Sequence, residues 1–215
     1  MDISRSFIRD RACLPEPRIA ALVLAGGESS RMGLDKATLP LGDGETLLSA
    51  VFREALKICP QARVSRAARQ NFPEYPCVED EYADRGPLSG IVAGLSFFSA
   101  IGYDALQVLA CDLPYLKAET ARRLINAYKA SPGYLMAAWR GRESGRTQTL
   151  AAIYSREALP TLRASLEKNL VSIKKILPPQ RILYLDYGPE MEKYFYNCNS
   201  PAEYAKVRST IDSRD

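Results

Sequence analysis

The chain has 215 residues, with 29 Lys and Arg against 25 Asp and Glu, a formal charge of +4, and no histidine. The missing imidazole excludes Ser-His-Asp triads, Cys-His pairs, His-ligated zinc and histidine acid–base chemistry. Catalysis has to draw on carboxylates, Lys and Arg, hydroxyls, amides, thiols or a metal held by oxygen. Hydrophobic residues at 47% and charged residues at 25% describe an ordinary globular chain, long enough for one α/β domain.

Basic and acidic residues are interspersed, which argues against a nucleic-acid partner. The cysteines at 13, 59, 77, 111 and 198 form no CxxC pair and no disulfide framework. They predict a reduced, cytoplasmic protein in which each thiol is a small buried hydrophobe. No apolar run reaches the ~18 residues of a membrane span, so no membrane is expected. The opening MDISRSFIRDRACLPEPR lacks the apolar stretch of a secretory signal. Residues 1–18 are expected to form a flexible leader to a single domain over 19–211, with disorder again from about Asp212.

In chain order, IAALVLA at 19–25 is short, continuous and apolar, the pattern of a strand covered on both faces. A glycine loop over 26–33 follows. A helix is predicted over 46–59, with Thr46 as N-cap and Leu47, Leu48, Val51, Ala55 and Leu56 on one face. Strands are predicted at 62–68 and 77–79, and a loop at 86–90 leads into a small-residue helix at 91–100. ALQVLA at 105–110 is another buried strand. An amphipathic helix over 117–130 turns Leu124, Ile125 and Tyr128 inward. Strands at 134–139, 150–154 and 181–186 and helices at 157–168, 171–176 and 201–211 complete the chain. This alternation predicts an α/β fold with a mainly parallel sheet and right-handed crossovers.

Ligands of such sheets sit outside the carboxyl ends of the strands. Three chemically loaded segments fall there. In LAGGESSRMGLDK, adjacent glycines after a buried strand let backbone N–H groups approach a ligand, and Arg31 and Lys36 add charge, together an anion cradle for a triphosphate. The glycine spacing is neither a Walker loop nor GxGxxG. In CDLPY, Asp112 directly follows a buried strand, where a carboxylate can hold a hard cation such as Mg2+ or cap the next turn. In GPLSG, glycines at both ends suggest a tight loop against a ring or sugar, with Ser89 reading a base edge or serving as a helix N-cap. In a fourth segment, NCNSPAEY, the proline after Asn199 and Ser200 marks a helix start.

These four motifs, in this order over 19–211, resemble the nucleotidyltransferase family of molybdenum cofactor guanylyltransferases, the MobA type. The resemblance implies a three-layer αβα, Rossmann-like fold. It implies NTP bound through Leu24, Ala25, Gly26 and Gly27, a phosphate-contacting Lys36, a glycine-loop Arg31 and a Mg2+-binding Asp112. Asp80 and the loop residues Gly86, Pro87, Leu88 and Ser89 correspond to positions near guanine and ribose, and Asn197 and Asn199 to positions near the metal and the pterin. It implies GTP and molybdopterin as substrates, molybdoenzyme-maturation proteins as partners, and transfer of GMP with release of pyrophosphate. The alternatives are a CTP- or sugar-phosphate-type transferase, a non-catalytic nucleotide- or molybdopterin-binding accessory protein, and a plain partner-binding scaffold. Two departures stand out. Arg66 occupies a place where the family commonly offers asparagine, and the 146–149 segment, RTQT, lacks the family's proline turn.

Overall fold

A computed structural model describes residues 15–25, 35–82 and 85–212. In chain order the elements are β1 (Ile19–Leu24), β2 (Pro40–Gly42), β3 (Glu45–Thr46), α1 (Leu47–Leu56), β4 (Arg63–Arg66), β5 (Cys77–Glu79) and α2 (Pro87–Ala100). They continue with β6 (Ala105–Ala110), α3 (Ala118–Ala130), β7 (Met136–Gly141), β8 (Thr147–Ser155), α4 (Leu159–Glu167), α5 (Ile173–Ile176), β9 (Ile182–Tyr187) and α6 (Pro201–Asp212).

Seven strands form one sheet in the order β5-β4-β1-β6-β8-β7-β9. β1 pairs in parallel with β4 on one side and β6 on the other, in register from Ile19 opposite Ala105 to Leu24 opposite Ala110. β8 runs antiparallel to both of its neighbours, β6 and β7. β1 is apolar throughout because both its faces are covered. Ala20, Leu22 and Leu24 enter one core with residues of α2 and α4, while Ala21 and Val23 enter the other with residues of α1 and α3. The result is the expected three-layer αβα sandwich. A third cluster joins Leu39, Leu41 and Leu47 to Cys198 and Val207, seating α6 on the β2–β3 hairpin.

The chain steps from β1 to β4 and β5 on one side, then returns to β6 on the other. The strand order therefore reverses between β1 and β6, which opens a crevice at their carboxyl ends. Leu24 and Ala110 end these two strands, and the Cys111 N–H donates to the Leu24 carbonyl at 3.1 Å.

Several local expectations change. Gly86–Gly90 is not a loop: Pro87 begins α2, because proline's fixed φ suits a first helical position, and Gly86 rather than Ser89 holds the N-cap position. Gly90 and Gly94 let α2 lie close on the sheet. A Cβ on Gly90 would stand 2.2 Å from Ser65 Oγ and 2.9 Å from Leu24 Cδ2, and one on Gly94 2.5 Å from Leu22 Cδ2. Thr46 does cap α1, exchanging side-chain and backbone bonds with Ser49. Leu56, however, is exposed, and the buried position on that helix belongs to Glu54, whose carboxylate accepts the Ala118 N–H at 2.8 Å at the start of α3. The β2–β3 hairpin was not expected.

The expected leader lies outside the described residues as far as residue 14. Beyond it, the Arg18 N–H donates to Asp104 Oδ2 at 3.0 Å and its guanidinium stacks 4.5 Å from the Tyr103 ring centre. The described cysteines are all free, and Cys59, Cys111 and Cys198 are buried. No described helix is long and apolar enough to cross a membrane.

Candidate active site

The crevice between β1 and β6 collects polar residues from four distant stretches of sequence. Gly26, Gly27 and Arg31 lie outside the described residues. The chain is described again at Asp35, whose Oδ1 accepts the Ala37 N–H at 3.1 Å and so caps the short turn Lys36–Thr38. Lys36 thereby projects from the first residue of a fixed turn. Its ammonium donates to Asn199 Oδ1 at 2.8 Å, across 163 residues of sequence.

Asn199 is held in turn. Its N–H donates to Glu203 Oε2 at 2.8 Å, and the Ser200 hydroxyl donates to the same oxygen at 3.0 Å. The Glu203 N–H donates back to Ser200 Oγ at 3.3 Å. This is a capping arrangement around Pro201, the first residue of α6. These bonds hold the Glu203 carboxyl below its ordinary range, the Asn199 N–H contributing most. One residue before Asn199, the Cys198 N–H donates to the Asp112 carbonyl at 2.9 Å. Asn197, just before Cys198, is half-buried. The 198–203 segment is thus bound both to the Asp112 backbone and to the Lys36 side chain.

Asp112 itself is half-buried, and its Oδ1 is shut away from solvent with no hydrogen-bond partner among the described residues. Burial pushes its carboxyl above the ordinary carboxylate range, while Lys36 and Arg146 pull it down. Arg146 is exposed just before β8. Burial also raises the thiols on either side, Cys111 far up and Cys198 to about 11. Burial thus holds both thiols toward their neutral form.

Beside this cluster lies a second one, at the ends of β4 and β5. The Ser65 hydroxyl donates to Asp80 Oδ1 at 2.5 Å, and the Asp80 N–H donates to the Arg66 carbonyl at 2.9 Å. Burial raises the Asp80 carboxyl, against the pull of Ser65. The first turn of α2 abuts this pair through Gly90. Ser89 is fully buried, and its hydroxyl accepts the Tyr82 N–H at 3.0 Å. Leu88 is in the core, so Gly86 and Pro87 are the exposed members of this segment.

Gln70, which sequence reasoning passed over, ties together the residues that flank the 26–34 segment, and Arg66 supports it. The Gln70 side-chain amide donates to the Ala25 carbonyl at 3.1 Å and to Asp35 Oδ2 at 2.6 Å, one at each end of the 26–34 segment. Gln70 is fixed by the Ala67 N–H, which donates to its Oε1 at 2.9 Å, and by Arg66, which donates to its carbonyl at 2.7 Å. Arg66 also pairs with Glu79 at 3.0 Å.

The cluster offers a tethered cation, a second cation at Arg146 and a buried carboxylate oxygen in need of a partner. Such a set suits a polyphosphate and a hard cation. Asp112 is an oxygen donor of the kind Mg2+ prefers, and its orphaned Oδ1 is the observation that fits an ion there. Among the described residues no group of three or more His, Cys, Asp or Glu side chains could hold a metal. Ligand oxygens and water would have to complete the shell.

Comparison with known proteins gives the family. Residues 21–181 match the family model described as the MobA-like NTP transferase domain. The chain is 32% identical over 201 residues to the "Probable molybdenum cofactor guanylyltransferase" of Carboxydothermus hydrogenoformans, covering 88% of this chain and 94% of that one. It is 35% identical over 198 residues to the protein of the same name from Opitutus terrae, covering 88% and 95%. The crystal structure of molybdopterin-guanine dinucleotide biosynthesis protein A from Archaeoglobus fulgidus shares the fold with a TM-score of 0.69, at 20% identity, over 90% of this chain and 99% of that one. By sequence match over most of its length, the chain belongs to the MobA-like NTP transferase family and is a nucleotidyltransferase.

Proposed function

We propose that the chain transfers GMP from GTP to the terminal phosphate of molybdopterin, forming the guanine dinucleotide form of the cofactor and releasing pyrophosphate. The observation that carries this reading is the convergence at one strand edge of Lys36, tethered to Asn199 at 2.8 Å, and the unpartnered Oδ1 of Asp112. The family's relatives supply the identity of base and acceptor.

The acceptor phosphate is an anion at neutral pH, so it attacks the α-phosphorus without a general base. That removes any need for the imidazole this chain lacks. The task left to the protein is to gather several negative charges and hold them in line. Lys36 and Arg31 contact the triphosphate, and the amides of Gly26 and Gly27 cradle it. Arg146 adds positive charge that acts on Asp112. Asp112 would hold Mg2+, which when bound neutralises charge on the triphosphate and on the departing pyrophosphate. Asp80 and the exposed start of α2 at Gly86 and Pro87 face the nucleoside. Asn199 keeps Lys36 aimed at the edge, and with Asn197 faces the acceptor.

Pyrophosphate release is the test. With Mg2+ and molybdopterin present, GTP is expected to give one pyrophosphate per dinucleotide formed, and chelation of the metal is expected to stop it. Preference for CTP would replace the guanylyl assignment with a cytidylyl one. Tight nucleotide binding with no release under any acceptor would make the chain an accessory protein.

A further inference from the structure

A cavity of about 360 Å3 lies beside the segment that follows Asp112, walled by Tyr115, Lys117, Lys193, Tyr194, Tyr196 and Lys206. None of Lys36, Asp80, Asp112 or Asn199 lines it. No carboxylate lines it either, and among the described residues the three lysines make no ion pair. The charge of Lys117 acts on Glu54, but that carboxylate already accepts from Lys57 and from the Ala118 N–H. Lys117, Lys193 and Lys206 are exposed and bring three positive charges to one cavity, which favours an anionic ligand there.

The rings supply a second requirement. Tyr115 and Tyr196 stand with centroids 6.4 Å apart at an angle of 52°. The Lys193 ammonium lies 5.2 Å from the Tyr194 centroid, and that of Lys206 5.4 Å from the Tyr196 centroid. Cation–π contacts at exposed sites are weak, whereas an ammonium–phosphate hydrogen bond is charge-assisted. An arriving phosphate would draw each lysine off its ring and open that face for stacking. A bare inorganic anion would use the lysines and leave the tyrosines without a role. The cavity has the size of an ordinary small-molecule pocket.

We propose that this cavity binds a planar heteroaromatic ring carrying phosphate, at a site separate from the Lys36–Asp112 edge. Its wall is continuous with the backbone that positions that edge. Tyr115 belongs to the CDLPY segment, and Tyr196 lies two residues before Cys198, whose N–H holds the Asp112 carbonyl at 2.9 Å. The shared ligand chemistry has two sources, a nucleotide or a pterin phosphate.

Calorimetric titration of the full chain with guanosine monophosphate and with a pterin monophosphate tests the assignment. At least one probe is expected to occupy a site that survives Lys36→Met. Replacing Lys117, Lys193 and Lys206 together with Gln is expected to weaken that site about tenfold or more, as loss of charge-assisted phosphate contacts requires. Tyr196→Leu keeps every charge. It is expected to weaken the ring-bearing probe while leaving inorganic phosphate unchanged, and it serves if the triple variant does not fold. The tighter probe names the source. The proposal is overturned if both probes bind only where Lys36→Met abolishes them, or if inorganic phosphate binds as tightly as either. It is equally overturned if hexaglutamate binds the cavity more tightly than both, which would make it a docking site for an acidic peptide.

Discussion

The two polar clusters at the carboxyl edge of the sheet treat their hydrogen-bonding groups differently. Around the start of α2, Ser65 bonds Asp80, the Asp80 N–H bonds Arg66, and the Ser89 hydroxyl takes the Tyr82 N–H. These side chains complete one another. Around Asp112 a buried carboxylate oxygen has no partner among the described residues, and Lys36 is held by a single neutral amide. A buried acceptor left unsatisfied costs about 1–3 kcal/mol. Gln107 Oε1, inside β6, is buried without a partner among the described residues as well, so the orphaned oxygen matters at Asp112 because it coincides with Lys36 at the ligand edge. On the proposed reading, the first cluster shapes the site and the second performs its chemistry. Variants in the second should cost rate with little stability, and variants that disturb packing or hydrogen bonds in the first should cost stability, with Asp80, whose buried charge is itself destabilising, set apart.

The sharpest test of that division is Asp112→Asn. It keeps the volume and removes the charge. Turnover is expected to fall by roughly 10³, the upper range for losing one charge-stabilising group, while thermal unfolding is unchanged or moves up. Pyrophosphate release and a melting curve on the same preparation check both halves. Normal turnover would erase the distinction between the clusters. Next in size is Lys36→Met, for which a loss of roughly 10²–10³ in kcat is expected, again with the fold intact. Gln70→Ala lies between the two regions, because it removes the bonds that hold Ala25 and Asp35. Its expected cost is roughly 10- to 100-fold in kcat, through misplacement of the loop. Gln70→Glu would not restore it, since a carboxylate donates nothing to the Ala25 carbonyl.

Much of this was legible in the sequence, for reasons that differ by residue. IAALVL betrays a covered strand because both faces are apolar, whatever its neighbours turn out to be. Asp112 is legible because a charged residue at the end of a buried strand must reach the ligand edge of an α/β sheet, and Lys36 because it closes the glycine-rich segment that follows another such strand. Thr46 is legible because a cap acts within one turn. The β2–β3 hairpin escaped because strands of three and two residues show no period, although Asp43 and Gly44, with φ of 47° and 75°, form a turn that an Asp-Gly pair suits. GPLSG was misread as a loop because a glycine signals a turn as readily as a close approach. Gly90 answers to Ser65 and Leu24, which lie far away in the chain. Gln70 gave no local signal at all, since its partners are 35 and 45 residues distant.

Gly90→Ala probes the scaffold side. The added methyl would meet Ser65 Oγ and Leu24 Cδ2 at once, so relief of one contact does not relieve the other. Turning Ser65 away also breaks its bond to Asp80. A loss of about 1–3 kcal/mol is expected, the usual range for overpacking a tight contact. Denaturant titration measures it. If rate falls while stability holds, α2 belongs with the chemistry after all.

The smallest effect, and the most discriminating, concerns Asp80 and pH. Burial raises its carboxyl above the ordinary value of 3.8, Glu79 pushes the same way, and Ser65 and Arg66 oppose them. The folded chain therefore holds this proton more tightly than the unfolded chain. Below the ordinary value both states are protonated and the group costs nothing. As pH rises from there through the raised folded value, the unfolded chain releases its proton first and stability falls. The loss persists at neutral pH. Asn cannot ionise, yet its Oδ1 can still accept from the Ser65 hydroxyl. Asp80→Asn should then gain on the wild type in melting temperature as pH rises from 4 to 7. Melting curves across that range decide it. A gain means that the ionised carboxylate is retained against its own folding cost, which makes ligand contact the reason for keeping it. A variant that instead loses stability toward pH 7 would make the Asp80 charge part of the scaffold.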